Sequence, residues 1–319
     1  MDLIELKNKI LNGYKITAEE AYELIEQPLA ELKVYANEIR EHFCKNKFDL
    51  CSIINAKSGK CSENCKYCAQ SSFYDTQVEV YDLLKSDIIV KEAIENRNKG
   101  VLRFSIVTSG RKPSKKDLNR ICEIIYEIKQ NSDVEVCASL GLLNKEDLQK
   151  LKSAGLTRIH NNLESSENYF KQVCTTHTTQ DKIQTIKYAQ ELGIDVCSGG
   201  ISGLGENWRD RVELALLLRD LNIMSIPLNF LCAIKGTPYE NNKLLNPEEI
   251  LRICAIFRFV NPKAFIRLAG GRYLTEDNGE ECLKSGINSL ITGDMLTTTG
   301  TTIASDLKMV KELGFEVKI

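Results

Sequence analysis

Nowhere does this chain of 319 residues hold an apolar run near the roughly 20 residues that a membrane helix needs; IRLAG and FLCAI are among its longest. No membrane span is expected. It also lacks a surplus of one charge: 42 basic residues stand against 44 acidic ones, for a net charge of -2. The one-sided basic field of a nucleic-acid groove is therefore missing, and a small-molecule substrate fits better. Prolines number only six, and no low-complexity stretch or Gly/Ser linker marks a second compact domain. Histidines number three, and His42, His160 and His177 are too scattered to form a local triad motif. The opening stretch MDLIELKNKILNGYKITAEEAYELIEQ is charged and amphipathic, unlike a secretory signal. Twelve cysteines in a chain of this kind point to a reducing, cytoplasmic setting and away from a disulfide scaffold.

What is present is a substantial hydrophobic content, 43% of residues, enough for a large buried core. From about residue 51 onward, short β-branched runs alternate with amphipathic segments, the pattern of a parallel α/β fold. The runs are 51–56, 102–108, 134–139, 157–162, 194–199, 225–231, 264–269 and 288–292. Helical candidates between them include 114–131, 144–154, 179–192, 206–221 and 247–260, with Asn144 and Asn246-Pro247 as start signals and Gly155 and Gly193 as stops. Eight such units predict a (β/α)8 barrel of the TIM type over residues 46–319, preceded by a helical extension over 1–45.

The cysteines fall into groups on this map. Cys61, Cys65 and Cys68 form a C-x3-C-x2-C triplet in the long connection after the first strand, where a barrel carries active-site loops. Three thiolates suit a four-iron cluster with one iron left open to a cofactor. Structural zinc, with its ligands usually paired in fours, suits the spacing less well. Cys51, Cys137 and Cys197 lie inside the first, third and fifth strands, and inward alternation lets them converge on one interior point. Packing is the expected role for Cys44, Cys122, Cys254 and Cys282, whereas Cys174 and Cys232 lie in loops with no assigned role.

The triplet, with Tyr67 just before its last cysteine, resembles the radical S-adenosylmethionine superfamily. The strings CKYCAQSS, VCSGGISGLGE, PLN, KGTP and RLAGGR, in that order, narrow the resemblance to the biotin synthase family from about residue 18 to 315. The resemblance implies a [4Fe-4S] cluster on Cys61, Cys65 and Cys68 whose open iron chelates S-adenosylmethionine. It also implies sulfur insertion into dethiobiotin by radical hydrogen abstraction, an external electron donor of the flavodoxin or ferredoxin type, and a homodimer. Tyr67, Asn162, Glu164, Lys182, Ile201 and Leu204 then stand as cofactor-binding positions, and Asn229 and Arg267 as catalytic ones. Lys182 replaces a family arginine, keeping the charge and losing the bidentate fork. The glycines at 199, 200, 203 and 205 are read as letting the backbone approach a flat ligand. Two rival readings are another radical enzyme of the maturase or methylornithine mutase type and a non-enzymatic iron–sulfur carrier. A carrier has no need of Asn162, Glu164 and Asn229.

The family also implies an auxiliary [2Fe-2S] cluster held by cysteines on the second, third and fifth strands with an arginine on the seventh. Cys137, Cys197 and Arg267 match, but the second-strand position is Ser105, a poor donor to iron in a sulfide cluster. Cys51, on the neighbouring first strand, compensates. The expectation is an altered auxiliary cluster on Cys51, Cys137 and Cys197, with four irons and an extra sulfide as the natural form, its corner moved by one strand spacing.

Overall fold

The computed structural model describes residues 1–293 and 301–318. Its strands are β1 Lys47–Lys57, β2 Arg103–Thr108, β3 Glu135–Ser139, β4 Arg158–His160, β5 Asp195–Cys197, β6 Gly200–Ser202, β7 Ser225–Phe230, β8 Phe265–Leu268, β9 Ser289–Thr292 and β10 Glu316–Val317. Neighbours pair in parallel in the order β1-β2-β3-β4-β5-β7-β8-β9, and β9 pairs back to β1. The sheet is thus a closed barrel with helices around it, the predicted (β/α)8 architecture. Strand β10 extends the lower end of β1.

The eight expected strands all occur, most of them a residue or two shorter than read. The fifth is broken: β5 stops at Cys197 and resumes as β6, which still pairs with β7. The break falls where Gly199 donates its N–H to Asn162 Oδ1 at 3.0 Å and accepts from Glu164 N at 3.1 Å. A side chain cannot stand there, because a Cβ on Gly199 would collide with the Pro227 carbonyl.

Helix limits follow their caps. Asn144 accepts from Asp147 N at 2.8 Å to open Lys145–Ala154, and Gly155 closes it in the left-handed region at φ 109. Asn246 and Glu249 form a reciprocal capping box around Pro247. The helix read from residue 206 starts instead at Trp208, because Asn207 and Asp210 make the box. The helices Leu3–Leu11, Ala18–Glu23 and Leu29–Cys44 pack on the outside of the barrel, where Arg252 donates to the Ile25 and Gln27 carbonyls.

Alternation sorts the barrel wall into two faces. Leu50, Phe104, Ile106, Val136, Ile159, Ile226, Ile266 and Leu290 point outward into the apolar layer beneath the helices. Their neighbours in sequence point inward, and those inward residues carry the chemistry.

Candidate active site

An interior cavity of about 410 Å³ runs from the C-terminal mouth of the barrel down to a charged floor. At the mouth, β1 leads into the loop that holds the cysteine triplet. Backbone bonds fold this loop on itself: Cys61 N donates to Gln70 O at 2.9 Å, Ser72 N to Cys61 O at 2.8 Å, and Cys68 N to Cys65 O at 3.0 Å. Cys61, Tyr67 and Cys68 line the cavity. Cys65 faces backward, packed with Tyr67 against Phe170, Cys174 and Leu204. Burial raises the Cys61 thiol and pushes Cys68 up to about 11, so these groups are thiols that must release protons to hold a metal.

Opposite the triplet stand Asn162, Glu164, Ile201 and Asn229, all in the cavity wall. Glu164 adopts φ 73, a left-handed conformation uncommon for a residue with a side chain. Its backbone bonds Gly199 O and Ile201 N hold it there, and its buried Oε2 has no partner. An unpaired buried carboxylate oxygen is costly, so this one is poised for a donor from a ligand. Burial and the adjacent Glu164 carboxylate push the Tyr67 hydroxyl well above its ordinary range. Asn229 is locked at both ends of its amide, donating to Gly200 O at 3.1 Å and accepting from Gly270 N at 2.9 Å. One N–H and one lone pair remain for a ligand.

Two expected cofactor positions sit elsewhere. Leu204 is buried in the small cluster behind the triplet, and its carbonyl already accepts from Tyr169 Oη and Asn242 Nδ2. Lys182 is buried with its ammonium 5.6 Å over the Phe170 ring, on the side of Cys65. The glycine run also differs from the reading above: Gly199 and Gly200 leave room for the backbones of Pro227 and Glu164, not for a ligand.

The barrel floor brings the three strand cysteines together. Cys51, Cys137 and Cys197 all line the cavity with Arg267, and each thiol is buried. Beneath them Asp49 Oδ2 accepts from Arg267 Nη2 at 2.8 Å, Arg158 Nη1 at 2.9 Å and Arg103 Nε at 3.2 Å. Despite burial, these cations hold the Asp49 carboxyl down at about 2. Arg267 Nη1 also reaches Cys197 Sγ at 3.3 Å and Ser225 Oγ at 3.0 Å. Burial raises the Cys51 and Cys137 thiols. At Cys197 burial acts the same way, but Arg267, His160 and Arg158 outweigh it and bring the thiol down to about 6.

This floor is electrostatically unfinished. Three buried guanidiniums stand against one buried carboxylate and, at neutral pH, the Cys197 thiolate, which leaves one positive charge, and Asp195, 3.8 Å from Arg158, is too exposed to offset much. Asp49 Oδ1, Arg158 Nε and Arg267 Nε are buried without partners. Unbalanced buried charge is expensive, and an anionic group held by three thiolates above it supplies the missing sign. The donor set therefore fits an iron–sulfur cluster.

Ser105 is buried and lines the same cavity. In the β1–β2 register Cys51 stands beside Arg103, while Ser105 stands beside Ile53. Cys51 is thus displaced from Ser105 by one strand and also by two residues along the barrel, roughly 6–7 Å of extra descent. The shift exceeds the single strand spacing expected from sequence. Cys232 lines the cavity too, in the loop after β7, with its Sγ turned to Phe230 O. Asp49, Arg103 and Arg158 had no place in the sequence reading, and His160 stood there only as one of three scattered histidines. Each lies two or four residues from an expected inward position on its strand, so alternation turns its side chain inward.

A closed parallel barrel with a three-cysteine loop at its mouth and a thiol-lined interior is the architecture of a radical S-adenosylmethionine enzyme. Residues 56–218 match the Radical SAM superfamily, and residues 227–316 match the Biotin and Thiamin Synthesis associated domain. Among curated proteins, the chain is 56% identical over 319 residues to the biotin synthase of Brachyspira hyodysenteriae, covering 100% of this chain and 96% of that one. It is 53% identical to the biotin synthase of Clostridium botulinum strain Loch Maree, with 99% of each covered. The chain belongs to the biotin synthase family, radical S-adenosylmethionine enzymes that insert sulfur in biotin synthesis. Membership implies a [4Fe-4S] cluster with S-adenosylmethionine, an auxiliary iron–sulfur cluster, and dethiobiotin as substrate.

Solved structures of a methylornithine synthase (TM-score 0.85, 18% identity, 98% of this chain and 97% of that one) and of a maturase of the [FeFe]-hydrogenase (TM-score 0.82, 19% identity, 98% and 74%) share the fold. Among the described residues no helix is long and apolar enough to cross a membrane.

Proposed function

We propose that the chain converts dethiobiotin to biotin between two centres stacked along the barrel axis. Cys61, Cys65 and Cys68 hold the upper cluster, and Cys51, Cys137 and Cys197 hold the lower one, with Arg267 above Asp49 as its cationic base. When bound, the upper cluster with S-adenosylmethionine supplies the hydrogen-abstracting radical and the lower one supplies sulfur. The unpaired Glu164 Oε2 accepts from a ribose hydroxyl or the ureido ring, and the locked Asn229 amide offers its remaining N–H and lone pair to that ring. Asn162, tied to Gly199 N, keeps its own amide N–H groups free toward the same space. Tyr67 and Ile201 close the sides of the cavity near the adenosine, and Lys182 meets the cofactor carboxylate only through rotation from its place over Phe170.

The lower cluster is altered from a two-iron form, and four irons with an extra sulfide are proposed, because its first-strand thiol lies one strand over and one inward layer lower than Ser105. A low-potential donor of the flavodoxin or ferredoxin type, a homodimer and a cytoplasmic setting complete the reading, as the resemblance implies.

The observation that carries the proposal is the positively charged floor beneath three converging thiols. The test is turnover with dethiobiotin deuterated at its methyl group. Deuterium in 5′-deoxyadenosine and sulfur in the product support it, whereas cofactor cleavage without deuterium transfer contradicts it.

A further inference from the structure

Behind the triplet, Cys65 meets two metal-ligating side chains that the reaction does not use, Cys174 and His177. Cys65 Sγ, Cys174 Sγ and a ring nitrogen of His177 all lie within 4.8 Å of one another, and Cys174 Sγ is 3.3 Å from His177 Nδ1. Around one tetrahedral ion with metal–sulfur bonds near 2.3 Å and metal–nitrogen bonds near 2.0 Å, ligand atoms stand about 3.5–3.8 Å apart. The group is close to that size. Cysteines on a four-iron cluster each take a different iron and cannot crowd in this way.

The group is also held in place. Glu63 Oε2 lies 2.6 Å from His177 Nδ1 and accepts from Thr176 Oγ1 at 2.8 Å and Arg111 Nη1 at 3.2 Å. Asn64 Oδ1 accepts from Thr175 N at 2.9 Å, and Asn64 Nδ2 donates to Thr175 Oγ1 at 2.7 Å. These bonds fasten the triplet loop to the turn that follows the helix Glu167–Val173. Glu63 Oε2 and Cys174 Sγ face the same ring nitrogen, so an ion bound through Nδ1 replaces its hydrogen bond to Glu63, while Thr176 and Arg111 keep that carboxylate in place. Cys174 and His177 are buried, so nothing but a small ion competes for the space.

We propose that the cluster-free chain holds a single divalent ion of the iron(II) or zinc type at Cys65, Cys174 and His177, with its fourth position open to water. This rests on the reading of Cys65 as a ligand of the upper cluster, since that role makes the two states exclusive: loading the cluster withdraws Cys65 and releases the ion. Iron held here stands beside the place where the cluster is built. Zinc held here occupies one cluster ligand and slows loading.

The experiment titrates full-length protein purified without clusters, anaerobically, with cobalt(II) and then zinc. The expected result is a tetrahedral cobalt spectrum with a thiolate-to-metal band, displaced by zinc. Its affinity falls about 100-fold in both Cys174→Ser and His177→Gln, a loss at the upper end of what outer-shell changes already cause. Prior zinc slows cluster reconstitution, read by iron content, in the unsubstituted chain and not in Cys174→Ser. Cobalt affinity unchanged in both variants and lost in Cys61→Ser puts the ion on the triplet itself and overturns the site. A Cys174-dependent cobalt band that persists in cluster-loaded protein overturns the exclusivity, and with it the assignment of Cys65, while leaving the dethiobiotin test above untouched.

Discussion

Arg267 donates from one arm of its guanidinium to Asp49 Oδ2 at 2.8 Å and from the other to Cys197 Sγ at 3.3 Å. One side chain thus joins the charged floor of the barrel to the thiols above it. The floor orients Arg267 with a carboxylate shared among three guanidiniums, and the excess positive charge faces the place where an anionic cluster fits. Stability and cofactor retention are therefore coupled through the same residues.

Replacement of Asp49 tests that coupling. Asp49→Asn leaves Arg103, Arg158 and Arg267 buried with only the Cys197 thiolate against them, and breaking a buried pair in this way costs about 3–5 kcal/mol. Denaturant unfolding of cluster-free protein should show the loss. The pH dependence has a definite sign, because the folded carboxyl sits at about 2, below its ordinary value. Its contribution is complete above the unfolded pKa, near 3.9, and disappears as pH falls through about 2. Asp49→Asn should flatten that limb of the acid-unfolding curve.

At the mouth, Glu164→Gln replaces an acceptor-only oxygen with an amide donor at the orphaned Oε2 position. The expected outcome is weaker binding of S-adenosylmethionine or dethiobiotin by about 1.5–3 kcal/mol, the range for a hydrogen bond to a charged group. Isothermal titration with each ligand measures it. Unfolding midpoints should barely move, because no protein donor bonds that oxygen.

A stability prediction away from the site concerns Arg258, which is fully buried on the helix Pro247–Val260. It donates to the carbonyls of Gly286, Pro262 and Ala264 and to Asn288 Oδ1, and burial brings its guanidinium down to about 10. Arg258→Met strands several buried carbonyls at about 1–3 kcal/mol each before relaxation. The unfolding midpoint in urea should fall sharply while iron loading of the folded fraction is unchanged.

The barrel was legible because its signals are local: alternation at β1 and β2, asparagine caps at 144 and 246, and a glycine stop at 155 each act within a few residues. The convergence of Cys51, Cys137 and Cys197 followed from the same alternation. The paired role of Asp49 with three arginines was harder to read, because an isolated charge inside a strand looks like solvent exposure until the barrel closes over it. Leu204 and Lys182 illustrate the opposite limit. Neither position carries a local signal for its direction, and both pack toward Phe170, behind the cavity wall. Cys174 and His177 meet Cys65 only because the turn after Glu167–Val173 folds onto the triplet loop, across more than a hundred residues of chain.

The most direct measurement is anomalous diffraction at the iron edge on anaerobically loaded protein, paired with Mössbauer spectra of the unsubstituted chain and of Cys51→Ser. The account predicts two iron centres, one at Cys61, Cys65 and Cys68 and one bonded to Cys51, Cys137 and Cys197, with the second lost or changed in Cys51→Ser. A lower centre bonded at Ser105, with Cys51 free and its spectrum unaltered by the substitution, would contradict it.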